Sequence, residues 1–309
     1  MKKITITQIS EKKIKAGNPL LQMEDFPNEL IFSEGEIVEL VDSRHAFVAK
    51  AYLAKQNKGV GWVFSLNTAD SFNETFFNNK FEKAKRKRTV LQSDPETTTY
   101  RLFNAEGDGI PGVTIDHYDG FAVISWYSEG IFRYQAAITA AFQAVFPETK
   151  GIYEKFRYQR KDGLISRFVT GEEAPTPLIV KENGINYATY LDDGLMTGIF
   201  LDQRDVRGAL TDRYAVGKRV LNTFSYTGAF SVAAAMGGAV ETTSVDVANR
   251  SLERTKEQFA VNNLDDEKQK IYVMDVFDFI RYAIRKELQY DVPSSIRRAL
   301  PAPRSALSR

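Results

Sequence analysis

Gly228, Asp246 and Asp275 stand at three successive points where an apolar run gives way to a helical one. The first run begins at Val220, ends in Asn222-Thr223-Phe224-Ser225-Tyr226-Thr227-Gly228 and leads into small residues. A second ends on Asp246, 18 residues beyond Gly228, and a third on Asp275-Val276-Phe277. Glycine at a strand-to-helix turn lets backbone and ligand approach closely. A pyrophosphate cradle needs G-x-G-x-x-G, and this turn has Gly228 alone. An acidic residue ending the second strand can accept hydrogen bonds from ribose hydroxyls. Asp275 and Val276 would then flank an adenine, with the carboxylate near its amino group. The set suits an adenosine-type ligand without a pyrophosphate, and S-adenosyl-L-methionine fits. Helix capping is the other role open to each aspartate.

Two further constellations accompany this one. Gly198-Ile199-Phe200-Leu201-Asp202-Gln203-Arg204-Asp205 opens a helix that includes Val206 to Tyr214. Gln203 and Arg204 offer donors for a cofactor carboxylate or an RNA phosphate, unless this is only a solvated helix start capped by Asp202. From Lys80 to Arg88 there are six cationic side chains against the single acid Glu82. Lys83, Lys85, Arg86, Lys87 and Arg88 are the candidates there for sequence-independent contact with phosphates, and a solvated helix face is the alternative.

Elements that would position these groups are readable from periodicity. The chain has 309 residues, room for roughly two domains. Residues 1–70 read as short strands with turns, a small β-rich domain; Glu36–Val41 and Ala46–Leu53 are its clearest strands. Residues 71–88 are helical. Between 98 and 170 the pattern is strand, strand, helix, strand, strand, with strands near Tyr100–Phe103, Val113–Asp116, Phe121–Trp126 and Gly151–Phe156 and an alanine-rich helix at Tyr134–Phe146. Asn104-Ala105-Glu106-Gly107-Asp108-Gly109-Ile110-Pro111-Gly112 must turn sharply. After the linker Glu172–Pro177 comes a hairpin around Asn183-Gly184, then alternating strands and helices of an open α/β sheet.

Composition narrows the classes. The net charge is +1, so attraction to nucleic acid must come from local patches. With no cysteine, disulfides and thiolate chemistry are excluded within this chain, and His45 and His117 are too few to support a histidine metal site or a Ser-His-Asp triad. No apolar run approaches a membrane span and no signal-peptide core follows Met1, so the cytoplasm is the expected location.

On these residues the chain resembles the class I S-adenosylmethionine-dependent 23S rRNA methyltransferases with an N-terminal PUA-like domain. Phe103 to Gly112, Gly151-Ile152-Tyr153-Glu154-Lys155, Thr197 to Arg204 and Val220 to Gly228 carry the resemblance. It implies an α/β fold in parts: a PUA-like RNA-binding domain over 1–70, a central α+β domain over 71–172 and a Rossmann-like methyltransferase domain over 173–291. It implies that Gln203, Arg204, Phe224, Tyr226, Thr227, Gly228, Asp246, Asp275 and Val276 line the S-adenosyl-L-methionine site, with 23S rRNA as partner; a homodimer stays open. Carbon 5 of cytosine would need a covalent adduct, usually from cysteine, whereas a nitrogen acceptor would not. The catalytic residue, target base and acceptor atom stay open.

The last stretch departs from the family pattern. Residues 292–309 hold four Arg, three Pro, four Ser and no acid. They read as an aberrant basic tail left by a frameshift or truncation, where the family's fourth strand should lie beside the first; a disordered basic tail is the alternative. The expectation is therefore an incomplete sheet, an exposed apolar edge along Val220–Thr223 and an insoluble or inactive chain. A non-catalytic RNA-binding protein is the rival reading; a dinucleotide-dependent oxidoreductase is disfavoured by the single glycine.

Overall fold

The structure is a computed structural model and describes residues 1–56, 59–264 and 266–295. It divides into two compact units, one of residues 1–180 and 190–197, the other of residues 181–189 and 198 onward.

In the first unit, β1 (Lys2–Thr5), β2 (Leu20–Leu21), β3 (Ile37–Val41), β4 (Phe47–Leu53) and β5 (Gly61–Ser65) form a sheet in the order β1-β3-β4-β5-β2. Its β4 and β5 are buried almost throughout, which matches their near-continuous apolar sequence. Leu40, Ala49, Leu53 and Val63 pack on one side with Ile14 of the helix Gln8–Lys15. Tyr52, Trp62 and Phe64 join a second cluster that continues into Phe72, Phe77, Phe81 and Phe103.

That second cluster belongs to a sheet of β6 (Thr99–Asn104), β7 (Val113–Tyr118), β8 (Phe121–Trp126), β9 (Gly151–Phe156) and β10 (Ser166–Gly171), ordered β10-β9-β8-β7-β6. Three strands precede the helix Gln135–Val145 and two follow it, one strand more than the sequence pattern counts. This helix carries the chain from β8 to its parallel neighbour β9. It packs on the helix Glu74–Lys87, where Phe81 meets Phe142 with ring centroids 5.8 Å apart. Asn73 starts the latter helix, its side chain accepting from the Phe76 N–H.

The hairpin of β11 (Leu178–Glu182) and β12 (Ile185–Thr189) turns at Asn183-Gly184, both with positive φ (52° and 77°), as a two-residue turn requires. Beyond it, β13 (Arg219–Thr223), β14 (Glu241–Asp246), β15 (Gln269–Val273) and β16 (Val292–Ser295) form an all-parallel sheet ordered β15-β14-β13-β16. The helices Ala229–Met236, Arg250–Ala260 and Val276–Arg285 are the crossovers. Strand order reverses at β13, the switch point at which open α/β sheets bind ligands.

β16 corrects one expectation. Residues 292–295 are a strand, not the start of a tail, and they cover the edge of β13. Val292 packs against the cluster of Val220, Phe230 and Ala234. The Thr223 hydroxyl donates to the Ser294 carbonyl at 3.2 Å. Asp291 closes the near end: its carboxylate accepts from the Arg219 N–H at 2.8 Å and its own N–H donates to the Arg219 carbonyl. Pro293 is tolerated because β16 has β13 as its only neighbour among the described residues. The rest of the supposed tail, 296–309, lies outside the described residues. No helix among the described residues is long and apolar enough to cross a membrane.

A chain shortened to end at Asp291 should lose this cover. It is expected to aggregate at concentrations at which the full chain stays monodisperse, as read by size-exclusion chromatography with light scattering. Equal monodispersity of the two would show that β16 does not protect β13.

Candidate functional site

At the carboxyl end of β13 the chain makes a turn that few sequences would adopt. Phe224, Tyr226 and Gly228 have φ of 55°, 54° and 79°. For aromatic residues the left-handed region is uncommon and costs on the order of 1–3 kcal/mol each, and such strain collects at functional sites.

Specific bonds hold the turn in place. Asp246, at the end of β14, accepts from the Tyr226 N–H with one oxygen (2.8 Å) and from the Ala248 N–H with the other (2.9 Å). The Ser225 N–H donates to the Val245 carbonyl, and the Gly228 N–H to the Ser225 carbonyl. The Thr227 hydroxyl donates to the Gly198 carbonyl at 2.6 Å, joining the turn to the segment that bears Gln203. Inside, Asn222 donates to Ser231, which is 2.6 Å from Ser244, so these three buried polar side chains are linked in one chain of hydrogen bonds.

Gly228 is the N-cap of the helix Ala229–Met236. A Cβ there would come within 2.5 Å of Thr255 Cγ2 on the helix Arg250–Ala260. Positive φ and close helix packing thus both demand glycine.

A pocket opens beside this turn, lined by Gly198, Ile199 and Gln203 on one side and by Phe224 to Thr227 on the other. The Phe200 and Tyr226 rings lie 5.3 Å apart at its wall. Its floor includes Arg207, which the sequence reading does not single out. Arg207 is fully buried, makes two 2.7 Å bonds to Glu182 and donates to the Phe200 carbonyl at 2.9 Å. Its guanidinium also sits over the Tyr187 and Phe230 rings. One signal was available: Leu178, Val180 and Glu182 alternate inward on β11, and an inward carboxylate requires a cation.

Of the candidate residues, Gln203, Phe224, Tyr226 and Thr227 are brought together around the pocket. Gly228 and Asp246 shape the turn from behind. Arg204 is paired with Asp205 at 3.1 Å and is not part of the pocket lining. Asp275 lies beyond β14, where one of its oxygens caps the helix Val276–Arg285 by accepting from Phe277 and Asp278. Val276 is buried against Val245 and Phe279. Asp202 caps nothing; Phe200 precedes the short turn Leu201–Gln203 and provides no side-chain cap.

The basic run is less free than its composition suggests. On the helix Glu74–Lys87, Lys85 donates to the Val145 carbonyl and lies over the Phe146 ring. Lys87 and Arg88 both bind Asp108, at 2.8 and 2.6 Å. Lys83, Arg86 and Lys87 are the exposed members, and Arg86 is only loosely paired with Glu82 at 3.9 Å. Neither histidine serves the site: His45 is exposed, and burial beside the Tyr100 ring pushes His117 down to about 4, so it is neutral near pH 7. No group of three or more metal-binding side chains occurs among the described residues.

Switch-point geometry, a non-phosphate turn and a carboxylate at the next strand end define a nucleoside-binding α/β unit. Comparison with known proteins narrows this. Residues 131–295 match the family described as S-adenosylmethionine-dependent methyltransferase, and residues 4–66 match the PUA-like domain. The chain belongs to the S-adenosylmethionine-dependent methyltransferase family. It is 49% identical over 296 residues to a Bacillus subtilis protein, YwbD, whose name provisionally assigns it as a ribosomal RNA large subunit methyltransferase; the match covers 94% of this chain and 75% of that one. It is 34% identical to ribosomal RNA large subunit methyltransferase I of Escherichia coli, covering 84% of this chain and 66% of that one. SMU.776, solved in complex with SAH and provisionally described as a methyltransferase, superposes with a TM-score of 0.89 at 46% identity, covering 95% of this chain and 75% of that one. The chain thus spans two-thirds to three-quarters of the length of these relatives. Alignment over 94% of the chain leaves the expected inactivity without support.

Gly228→Ala is expected to destabilise the protein by about 1–3 kcal/mol through overpacking on Thr255. Thr255→Ala in the same chain should restore part of that loss, because the left-handed backbone cost remains. Denaturant unfolding of the single and double variants measures both. A Gly228→Ala chain as stable as the parent would mean the turn can shift away.

Proposed function

We propose that this chain binds S-adenosyl-L-methionine at the end of β13 and transfers its methyl group to a base of large-subunit (23S) ribosomal RNA. The observation that carries the reading is the turn with three left-handed residues, pinned by Asp246 at the switch point of a parallel sheet. The names of the relatives supply the RNA.

The residues fit the cofactor. A single-glycine turn suits a ligand without a pyrophosphate, and Gln203 at the rim supplies amide donors. A carboxylate has about four lone-pair sites, so Asp246 can hold two backbone N–H groups and still accept from ribose hydroxyls. Asp275 uses one oxygen as a cap, leaving the other for an adenine amino group, with Val276 beside the ring. Arg204 would take the cofactor carboxylate or an RNA phosphate, exchanging its exposed partner Asp205.

The cofactor's sulfonium supplies an activated methyl group. The work left to the protein is to hold donor and acceptor in line, and good alignment is worth roughly 7–11 kcal/mol. Phe224, Tyr226 and Thr227 are suited to that by rigidity: their backbone is fixed by Asp246, Val245 and Gly198 before any ligand arrives.

Calorimetric titration of the chain with S-adenosyl-L-methionine should show saturable binding. Asp246→Ala should weaken it at least about tenfold, the equivalent of one charged hydrogen bond of roughly 1.5–3 kcal/mol. Methyl transfer from labelled cofactor to 23S rRNA should fall in parallel. A folded Asp246→Ala chain that binds the cofactor normally would contradict the assignment.

A further inference from the structure

The glycine-dense loop Asn104–Gly112 has no part in the cofactor site, yet it builds one wall of a cleft of about 630 Å³ in the first unit. Small-ligand pockets have volumes of about 300–1,000 Å³. Leu20 and Trp62 of the first sheet form one side, and Asn104, Glu106 and Tyr127 form the other.

The lining combines flat aromatic surface with a few polar groups. Tyr127 is 37% exposed, while Trp62 is 5% exposed and braced by Tyr52 at 5.3 Å between rings. Asn104 accepts from Arg101 at 3.2 Å through its oxygen, leaving its amide N–H groups for a ligand. Arg101 is itself held by Asp116. Glu106 is exposed and has no ion-pair partner among the described residues. The wall is preformed. Gly112 (φ 75°) passes so close to Tyr52 that a Cβ would lie 2.5 Å from its hydroxyl, and that hydroxyl donates to the Pro111 carbonyl.

Behind the loop stands the basic helix. Lys87 and Arg88 anchor Asp108, and Gly109 lies against the Lys80 side chain. Lys80 also lines an adjoining cleft that shares Pro19 with the first. Positive charge therefore borders a pocket that itself carries the exposed Glu106 and the half-buried Arg101, the latter already paired with Asp116. A phosphate would be repelled by Glu106 and drawn toward Lys80. A base would gain from the exposed Tyr127 ring, since every base has a π-face and stacking is worth about 1–3 kcal/mol. A carboxylate only accepts hydrogen bonds, so the base edge turned to Glu106 must carry N–H donors. Guanine, with two adjacent donors on its pairing edge, fits best.

We propose that this cleft captures one unstacked guanine of the RNA on the Tyr127 ring, with Glu106 reading its N–H edge and the flanking backbone passing Lys80. This rests on the RNA-directed reading above.

The test uses the full chain and fluorescence anisotropy with labelled single-stranded oligouridine octamers, with and without one central guanine. The guanine-containing RNA should bind at least about tenfold tighter. Tyr127→Ala should weaken it by roughly 5–150-fold, the loss of one stacked base, and Tyr127→Phe should restore binding. Glu106→Gln should abolish the guanine preference, the two RNAs then binding alike, with the all-uridine RNA bound at least as tightly as by the parent chain. Wild-type affinity in both Tyr127→Ala and Glu106→Gln, or no RNA binding by the parent chain, would overturn the proposal. Cofactor titration of the same samples separates the outcomes. Intact cofactor binding with no effect of these variants removes the pocket alone, whereas absent cofactor binding counts against the methyltransferase reading itself.

Discussion

Everything in the second unit depends on the bond between the Asp246 carboxylate and the Tyr226 N–H. Phe224 and Tyr226 occupy a backbone region that side chains disfavour, and Gly228 occupies it under a helix that leaves no space for a Cβ. Such a turn persists only if its surroundings over-determine it. Asp246 does so from the neighbouring strand, Val245 through its carbonyl, and Gly198 by receiving the Thr227 hydroxyl. The strain is thus met by ordinary hydrogen bonds, and the wall of the pocket is rigid before a ligand arrives.

Two supports make those bonds possible. The parallel pairing of β13 with β14 places Asp246 one residue beyond the partner of Thr223, level with the turn it must hold. The buried Arg207–Glu182 pair fixes the segment carrying Phe200 to the hairpin, so that Gly198 stays within reach of Thr227. A buried ion pair is a weak source of net stability, but removing one partner strands a charge, so it specifies one arrangement over others. β16 pairs with β13 on the far side and takes an apolar edge out of solvent.

Much of this was legible in residue types and spacing. Strand, turn and helix could be read around Gly228 because apolar runs of strand length end in punctuating residues. Asp246 was visible as a carboxylate at a strand end, but not its bonds to Tyr226 and Ala248, since register decides which amide it meets. The Arg207–Glu182 pair, separated by 25 residues, left only the trace of an inward carboxylate on an alternating strand. Composition misled twice. Val292–Ser295 looked like part of a basic tail because Pro and Ser dominate it, yet one valine and a free edge on β13 suffice to make it a strand. The run Lys80–Arg88 looked like a single cationic surface, but Lys85, Lys87 and Arg88 are held by the Val145 carbonyl and Asp108, which a linear charge count cannot show.

Amide hydrogen exchange, with and without S-adenosyl-L-methionine, tests the central claim most directly, because it reads the turn itself. Protection should rise at Phe224 to Gly228 and at the Gly198–Gln203 segment, with β15 little changed. Cofactor binding that leaves these amides unprotected and slows exchange elsewhere would contradict the placement of the site at the end of β13.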